Sequence, residues 1–429
     1  MADISAAAMT PARPLPIGAF ELPFGFLLLP PGPDTEPVRQ ALLAGRLPGQ
    51  WPARLRGHQA ALEGDLDAAL AAFAGPDPVS RFNRFVIDPD TSTPEELRKA
   101  LGDPLGVLVD LVLFATGRSD TVPDPASCDG ELSALLLAGV AVQGLTTAQP
   151  PQVFIPNGTV GSADAVTLLR QAVDAARPVS PALAGVLNGA LAQACKAAGD
   201  LGAAIGALEA GLGLLSGTDL DTGRAEQHVE LAAAYHELAV GQPALVPKAV
   251  HHYHCALQEV DGGRAPEVYA AAHAGLAAAY LTMPMNEASD QLRLGVAVGS
   301  LRAALTVYTR ETHPAEWSSA QLNLANALVY APSAHRADNL KEAAELYEAV
   351  LSARDRTRDP IGYARALANQ GNALAHLGMV DEARARLAEA RFLFEESQEW
   401  DAVASVRGLL DELGRHDREH ATARTVAGD

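Results

Sequence analysis

Hydrophobic positions over the last two thirds of the chain follow one helical pattern of small and large residues at fixed spacings. A small residue is followed three positions later by a larger one, in the pairs Ala192/Cys195, Ala232/Tyr235, Ala277/Tyr280, Ala325/Leu328 and Gly371/Leu374. Each pair precedes a second segment with a small, a large and usually another small residue, namely Ala204/Leu208/Gly211, Ala249/Tyr253/Ala256, Ala297/Leu301/Ala304, Ala343/Tyr347/Val350 and Ala383/Leu387/Ala390. Small residues let two helices approach closely, and large residues fill the space between them. The pattern therefore predicts five antiparallel helix pairs.

The repeats have a constant underlying length. Their close-packing residues, 192, 232, 277, 325 and 371, are 40, 45, 48 and 46 residues apart. Between the large residue of the first helix and the first small residue of the second, the separation is 9 residues in the outer two repeats and 14, 17 and 15 in the middle three. Removing the extra 5, 8 and 6 residues leaves 40 each time. We therefore expect every insertion to fall in the same loop, at the free edge of a stacked array.

Proline positions predict where four of the first helices begin: Pro181, Pro266, Pro314 and Pro360. Proline is favoured in a first turn because its missing N–H is not needed there. Ser180 and Asp359 precede two of these prolines and are the predicted N-caps. A weaker sixth pair has its first helix within residues 131–143 and its second at residues 165–172. Further upstream, Arg54–Phe73 predicts two short helices and Leu105–Ala115 predicts a buried one.

The spacing over residues 180–398 resembles the tetratricopeptide repeat (TPR), and the segment Pro314–Leu328 resembles bacterial TPR proteins of an Asn-rich, extended-repeat type. The resemblance implies an all-α fold, a right-handed superhelical solenoid of antiparallel helix pairs with an N-terminal helical cap. We expect a cap or small domain at residues 1–125, with the first 50 residues irregular. A solenoid of five to six repeats at residues 126–412 and a disordered tail at residues 413–429 complete the predicted organisation.

Composition limits the partners and the compartment. The net charge is −20, so phosphate backbones and anionic lipid surfaces would repel the chain, and we expect neither nucleic acid nor membrane as a partner. The three cysteines are far apart and form no CxxC pair, which is typical of a reducing compartment. No signal-peptide layout or membrane-spanning apolar run is present. These observations predict a cytoplasmic protein.

First helices line the concave groove in the TPR family, and the resemblance implies that polar residues there contact a partner. The predicted partner-binding residues are Gln193, Lys196, His236, Asn323, Asn326, Arg365, Asn369 and Asn372. Asparagine carries a donor and an acceptor and can pair with a peptide backbone of any sequence. Alternatively, these asparagines bond between neighbouring helices and hold the repeats in register. The sequence leaves both interpretations open.

Other candidate chemistry is weaker. His251, His254 and Cys255 share one face of a second helix, but metal ligands normally come from two elements, so a solvated face is favoured and no metal or cofactor is predicted. Asp88 and Asp90 form a loop signal, and no P-loop, nucleophile elbow or HExxH motif is present, so no enzymatic activity is predicted.

The predicted function is a scaffold or adaptor that binds a segment of another protein or a peptide in the groove, with a role such as assisting the assembly of a larger complex. The alternative is a regulatory sensor that binds a peptide or small molecule in the groove and changes partner binding. A third hypothesis, hydrolase or transferase activity within residues 1–125, requires a polar pocket there.

Overall fold

The structure, a computed structural model, describes residues 27–128, 130–146, 154–155, 158–159, 162–283, 290–331 and 335–426. These residues form nineteen α-helices and two two-residue strands, so the fold is all-α. The first helices along the chain are α1 (Glu36–Leu43), α2 (Arg56–Leu62), α3 (Leu66–Ala72), α4 (Pro78–Ile87), α5 (Pro94–Leu101) and α6 (Val107–Ala115). The next are α7 (Gly130–Thr146), α8 (Ser162–Ala176), α9 (Pro181–Ala197), α10 (Leu201–Leu215), α11 (Asp221–Leu238) and α12 (Val246–Glu259). The last are α13 (Pro266–Thr282), α14 (Asp290–Ala304), α15 (Pro314–Tyr330), α16 (Arg336–Ala353), α17 (Pro360–His376), α18 (Val380–Glu396) and α19 (Trp400–Val426).

Short elements complete the described chain. Strands β1 (Phe154–Ile155) and β2 (Gly158–Thr159) pair antiparallel between α7 and α8. Four 3-10 turns cover Ala53–Leu55, Pro89–Thr91, Pro125–Ser127 and Pro243–Leu245.

Internal contacts divide the chain into two units, residues 1–237 and residues 238–429. This division lies inside the predicted solenoid, whereas the sequence placed a boundary at residue 125. Each unit is described below by itself.

The N-terminal unit begins with short helices packed around an extended segment. Leu27–Leu29 is buried, and the buried Asn83 side chain on α4 holds the backbone of Leu28 by accepting from its N–H and donating to its carbonyl. His58 on α2 places its Nε2 2.8 Å from the same carbonyl. Helix α1 lies within the first 50 residues, which the sequence predicted to be irregular, and it exists because Val38 and Leu42 pack in this core. Residues 1–26 lie outside the described part of the chain.

Helices α7 to α10 pack in sequence order, each on the next, as the repeat pattern predicts. The sixth pair is present as α7 and α8. Ser180 caps α9 by accepting from the Leu183 N–H, and its hydroxyl also donates to the carbonyl of Leu43 at 2.6 Å. Ser180 therefore ties the end of α1 to the start of α9.

In the C-terminal unit, helices α12 to α19 also pack in sequence order. Helices α17 and α18 have 17 residues each and are joined by three-residue turns, so that α17 begins at Pro360 and α19 begins 40 residues later at Trp400. The predicted 40-residue period thus comes from helices about 25 Å long, at about 1.5 Å per residue.

The predicted helix starts and core positions are confirmed. Helices α9, α13, α15 and α17 begin at the four prolines, and Asp359 caps α17 by accepting from the Gly362 N–H. All the close-packing residues of the first helices are buried, as are the small and large residues of the second helices. The insertions fall between first and second helix, where Leu238 precedes Val246, Thr282 precedes Asp290 and Tyr330 precedes Arg336.

Helix α19 continues through Val426, past residue 413, where the sequence predicted a disordered tail. Its first turns pack on the end of the repeat array, because Val403 and Val406 are buried against the cluster that contains Leu387 and Phe394. Leu413 packs against the same cluster and carries the apolar face of α19 beyond the predicted boundary.

Candidate functional site

Three first helices of the C-terminal unit, α13, α15 and α17, lie side by side. Residues three or four positions apart share one face of a helix. Asn323 and Asn326 therefore share a face of α15, and Arg365, Asn369 and Asn372 share a face of α17. We call these five residues the asparagine face.

The two central asparagines contact each other across neighbouring repeats. Asn369 Nδ2 donates to Asn326 Oδ1 at 2.9 Å, although the two residues are 43 positions apart in the chain. The same Asn326 oxygen accepts from the Tyr347 hydroxyl of α16 at 2.7 Å. Asn326 thus joins three successive helices through one carbonyl oxygen.

Tyr347 is part of the site, although the sequence pattern assigned it only to the core. Its side chain is 1% exposed, and burial raises the pKa of its hydroxyl, so that this group stays protonated and donates. Leucine occupies the matching place in three other repeats, as Leu208, Leu301 and Leu387. A tyrosine at position 347 was the signal in the sequence for a polar contact here, because a buried tyrosine hydroxyl needs a hydrogen-bond partner.

The outer members of the asparagine face have unused polar groups. Asn323 and Asn372 are half-buried, and neither side chain makes a hydrogen bond to another residue that the structure describes. Arg365 is exposed and has no ion pair within the same part of the chain. The structure therefore brings Asn326 and Asn369 together and leaves three neighbouring side chains available.

The other three predicted groove residues belong to the N-terminal unit. Lys196 on α9 lies 3.9 Å from the Glu230 carboxylate on α11, with both side chains largely exposed, so the pair contributes little to stability. Gln193 is exposed one turn before Lys196. His236 is half-buried on α11, and burial lowers its pKa. These residues form a mixed polar surface without an asparagine contact like that of Asn326 and Asn369.

The loop at Asp88 and Asp90 does not form a paired carboxylate site. Asp88 accepts from the backbone N–H of Asp90 and caps a 3-10 turn. Asp90 forms an ion pair with Arg118, whose hydrogen bond and charge lower the pKa of the carboxyl group. The two residues Asp90 and Arg118 line an open depression of about 380 Å³. A carboxylate held ionised by arginine is a poor proton donor, which argues against acid catalysis at this position.

The side chains in the histidine-rich stretch of α12 differ in their burial and in the residues they contact. Tyr253 is buried, as predicted for a core position, while His251 and His254 are exposed. His254 Nε2 lies 3.2 Å from the Tyr280 hydroxyl on α13. His251 Nε2 lies 3.6 Å from Cys255 Sγ, one turn along the same helix. His254 is therefore directed toward α13 and is not part of the His251–Cys255 pair.

None of the helices in the described residues combines the length and hydropathy that a membrane crossing requires.

Comparison with known proteins gives similarity of fold only. No protein-family model matches the chain, and no curated protein matches it. The TPR-like repeats of a Podosopora anserina kinesin light chain are 22% identical over 49% of this chain and 95% of that chain, with a TM-score of 0.35. The Rap protein complexed with Competence and Sporulation Factor is 12% identical, covering 76% of this chain and 92% of that one, with a TM-score of 0.41. The human IFIT1 dimer with PPP-AAAA is 14% identical, covering 84% and 81%, with a TM-score of 0.34.

These values are too low to transfer binding properties, and the assignment of a TPR-like all-α fold depends on the helix pairs described above. The Asn-rich bacterial subtype, the cytoplasmic location and the exclusion of a nucleic-acid partner stay predictions from the sequence.

Proposed function

We propose that the chain is a scaffold or adaptor whose C-terminal unit binds an extended peptide segment of a partner protein across the asparagine face. The observation that carries this proposal is the shared oxygen of Asn326, which accepts from both Tyr347 and Asn369. These two hydrogen bonds orient both amides before any partner arrives.

The oriented amides complement a peptide backbone. With its oxygen occupied, Asn326 has its Nδ2 donor left for a carbonyl group, and Asn369 has its Oδ1 acceptor left for an N–H group. A peptide unit offers one of each, and pairing through the main chain gives affinity without demanding a particular sequence. Orientation before binding reduces the entropy cost of association.

The two interpretations of the asparagine series apply to different members. Asn326 and Asn369 hold neighbouring repeats in register as well as presenting one donor and one acceptor. The side-chain amides of Asn323 and Asn372 have no hydrogen-bond partner among the described residues, so they serve the ligand alone. Arg365, one turn before Asn369, adds a positive charge for acidic side chains of the partner.

The test uses peptides selected from a random display library on the whole chain, with affinities measured by fluorescence anisotropy. The double variant Asn323→Ala/Asn372→Ala removes two ligand hydrogen bonds of about 1 kcal/mol each, which corresponds to roughly 30-fold weaker binding. Glu345→Ala, an exposed change on the second helix α16, is the matched control and should leave affinity unchanged. Circular dichroism verifies that each variant is folded.

Equal affinity of the folded double variant and the unchanged chain for every selected peptide would refute the assignment of this face. Loss of binding in the Glu345→Ala control as well would also count against it, because the effect would then not be specific to the asparagine face.

A further inference from the structure

An exposed tyrosine lies next to the asparagine face, at the C-terminal end of α15. Tyr330 is the last residue of this helix, one turn after Asn326 and two turns after Asn323, so the three side chains share one side of the helix. Tyr330 is 66% exposed. Burial, and then the nearby Tyr330 hydroxyl, raises the pKa of Tyr347, whose own hydroxyl donates to Asn326. Tyr330 therefore lies beside the oriented amides while most of its surface contacts solvent.

The packing of α15 on α17 shows which residues of the two helices lie side by side. Asn369 donates to Asn326, and further along both helices Ala373 belongs to the buried cluster that contains Leu328. Because these contacts advance together, the two helices run in the same direction. The exposed tyrosine at the end of α15 is therefore at the level of Asn372, whose side-chain amide has no hydrogen-bond partner among the described residues.

An arginine lies at the other end of the asparagine face. Arg365 is exposed, has no ion pair among the described residues and precedes Asn369 by one turn. At about 1.5 Å per residue, Arg365 lies about 6 Å before the Asn326–Asn369 hydrogen bond and Tyr330 about 6 Å after it. An extended peptide advances about 3.3 Å per residue and alternates its side chains, so side chains four positions apart share one side and are about 13 Å apart. The spacing of Arg365 and Tyr330 matches that separation.

We propose that the bound segment carries an aromatic side chain against Tyr330 and, four positions away, an acidic side chain against Arg365. This inference rests on the proposed function and adds the chemistry of the partner. Two aromatic rings attract each other beyond the gain from buried area, and the arginine guanidinium pairs with both oxygens of a carboxylate. Tyrosine and arginine are also enriched among the residues that dominate binding energy at interfaces.

The charge of the chain restricts where the acidic side chain is accepted. The net charge is −20, so acidic residues elsewhere in the segment gain nothing from the chain as a whole. Among the five residues of the asparagine face, Arg365 alone carries a positive charge. We therefore expect one acidic position in the segment, fixed relative to the aromatic residue.

The experiment uses fluorescein-labelled peptides selected from a random display library on the whole chain, with affinities from fluorescence anisotropy. Alanine at the aromatic position of a peptide, or Tyr330→Ala in the chain, should weaken binding about 10-fold, and the two changes together should weaken it no further. Tyr330→Phe keeps the ring and should keep the affinity. Phe392→Ala is the matched control, because Phe392 is an exposed ring on the second helix α18. Circular dichroism verifies that each variant is folded.

A parallel series tests the acidic position. Arg365→Gln should weaken binding of the selected peptide about 5-fold at low salt and should not affect a peptide whose acidic residue is replaced by glutamine. Moving the acidic residue by one position turns it to the other side of the extended chain and should remove its contribution to affinity.

The outcomes separate this inference from the proposed function. If binding depends on Asn323 and Asn372 but is equally tight in Tyr330→Ala, the aromatic contact is refuted and the proposed function stands. If neither the asparagine double variant nor Tyr330→Ala weakens binding, both are refuted. Selected peptides with an aliphatic residue or proline at the position facing Tyr330, or an equal loss in Phe392→Ala, would also overturn the inference.

Discussion

The hydrogen bond between Tyr347 and Asn326 should be measurable as a coupling energy. Tyr347→Phe keeps the buried ring and removes only the hydroxyl, while Asn326 retains Asn369 as a donor. We expect this variant to lose about 1 kcal/mol of unfolding free energy, the usual net value of one hydrogen bond. Asn326→Ala should cost more, about 1–3 kcal/mol, because it leaves the buried Tyr347 hydroxyl without its acceptor.

Combining the two substitutions removes the donor and the acceptor together. No unsatisfied hydroxyl then remains, so the double variant should be more stable than the sum of the single losses implies, by about 1–2 kcal/mol. Asn323→Ala is the matched control on the same helix, because the Asn323 side chain makes no hydrogen bond to another described residue. It should change stability by less than about 0.7 kcal/mol, the range of helix propensities, and should show no coupling to Tyr347→Phe.

Urea unfolding of the four chains of this cycle, followed by circular dichroism and by tryptophan fluorescence, supplies the free energies. Coincidence of the two transitions verifies that a two-state analysis is justified. A coupling energy below about 0.3 kcal/mol, within ordinary additivity, would show that the hydroxyl and the amide do not depend on each other. A loss in Asn323→Ala as large as that in Asn326→Ala would equally refute the reasoning.

Two further predictions concern stability. Gly371→Ala should lower the melting temperature, although four repeats carry alanine at the matching position, because the added methyl carbon would lie 2.7 Å from Leu387 Cγ. Overpacking of this kind costs about 1–3 kcal/mol of unfolding free energy. Gly408→Ala is the control, because its added methyl group lies in open space on α19 and should stabilise the helix by up to about 1 kcal/mol. Equal shifts of the melting temperature in the two variants would contradict this explanation. For His58, burial lowers the pKa to about 4, so the folded chain stays neutral while the unfolded chain gains a proton below pH of about 6.5. The unfolding free energy should therefore keep its full value above pH 6.5 and fall by about 1.4 kcal/mol per pH unit towards pH 4. Urea unfolding at several pH values should show this loss. His58→Gln should make the unfolding free energy depend less steeply on pH.

The sequence predicted the helical repeats because their determinants are local. The prolines at 181, 266, 314 and 360 and the spacing of small and large residues act within one or two turns, and each is found where it was expected. The sequence did not predict that α19 extends past residue 413, because the determinants of this helix are not local. Its hydrophobic residues are fewer, and its stability comes from packing on Leu387 and Phe394, which no local signal in α19 reveals.

The site was predictable to the level of the helix face and no further. Periodicity places Asn326 and Asn369 on corresponding faces of their helices, but it does not show which asparagine oxygen accepts from which neighbour. These hydrogen bonds depend on the distance between α15 and α17 and on Tyr347, whose hydroxyl reaches Asn326 from α16.

The histidines of α12 show the same limit: periodicity gives the helix face of each side chain, and the neighbouring helix determines its contacts. Spacing alone groups His251, His254 and Cys255 at positions i, i+3 and i+4, and each pairing is geometrically acceptable on an isolated helix. In the folded unit, the Tyr280 hydroxyl of α13 lies 3.2 Å from His254 Nε2, so His254 is directed toward α13 and not toward Cys255. His251 and Cys255, at positions i and i+4, stay together, with His251 Nε2 3.6 Å from Cys255 Sγ. A candidate set of ligands read from one helix therefore has to be revised by the hydrogen-bond partners that the next helix offers, and here that revision removes His254 and leaves the His251–Cys255 pair.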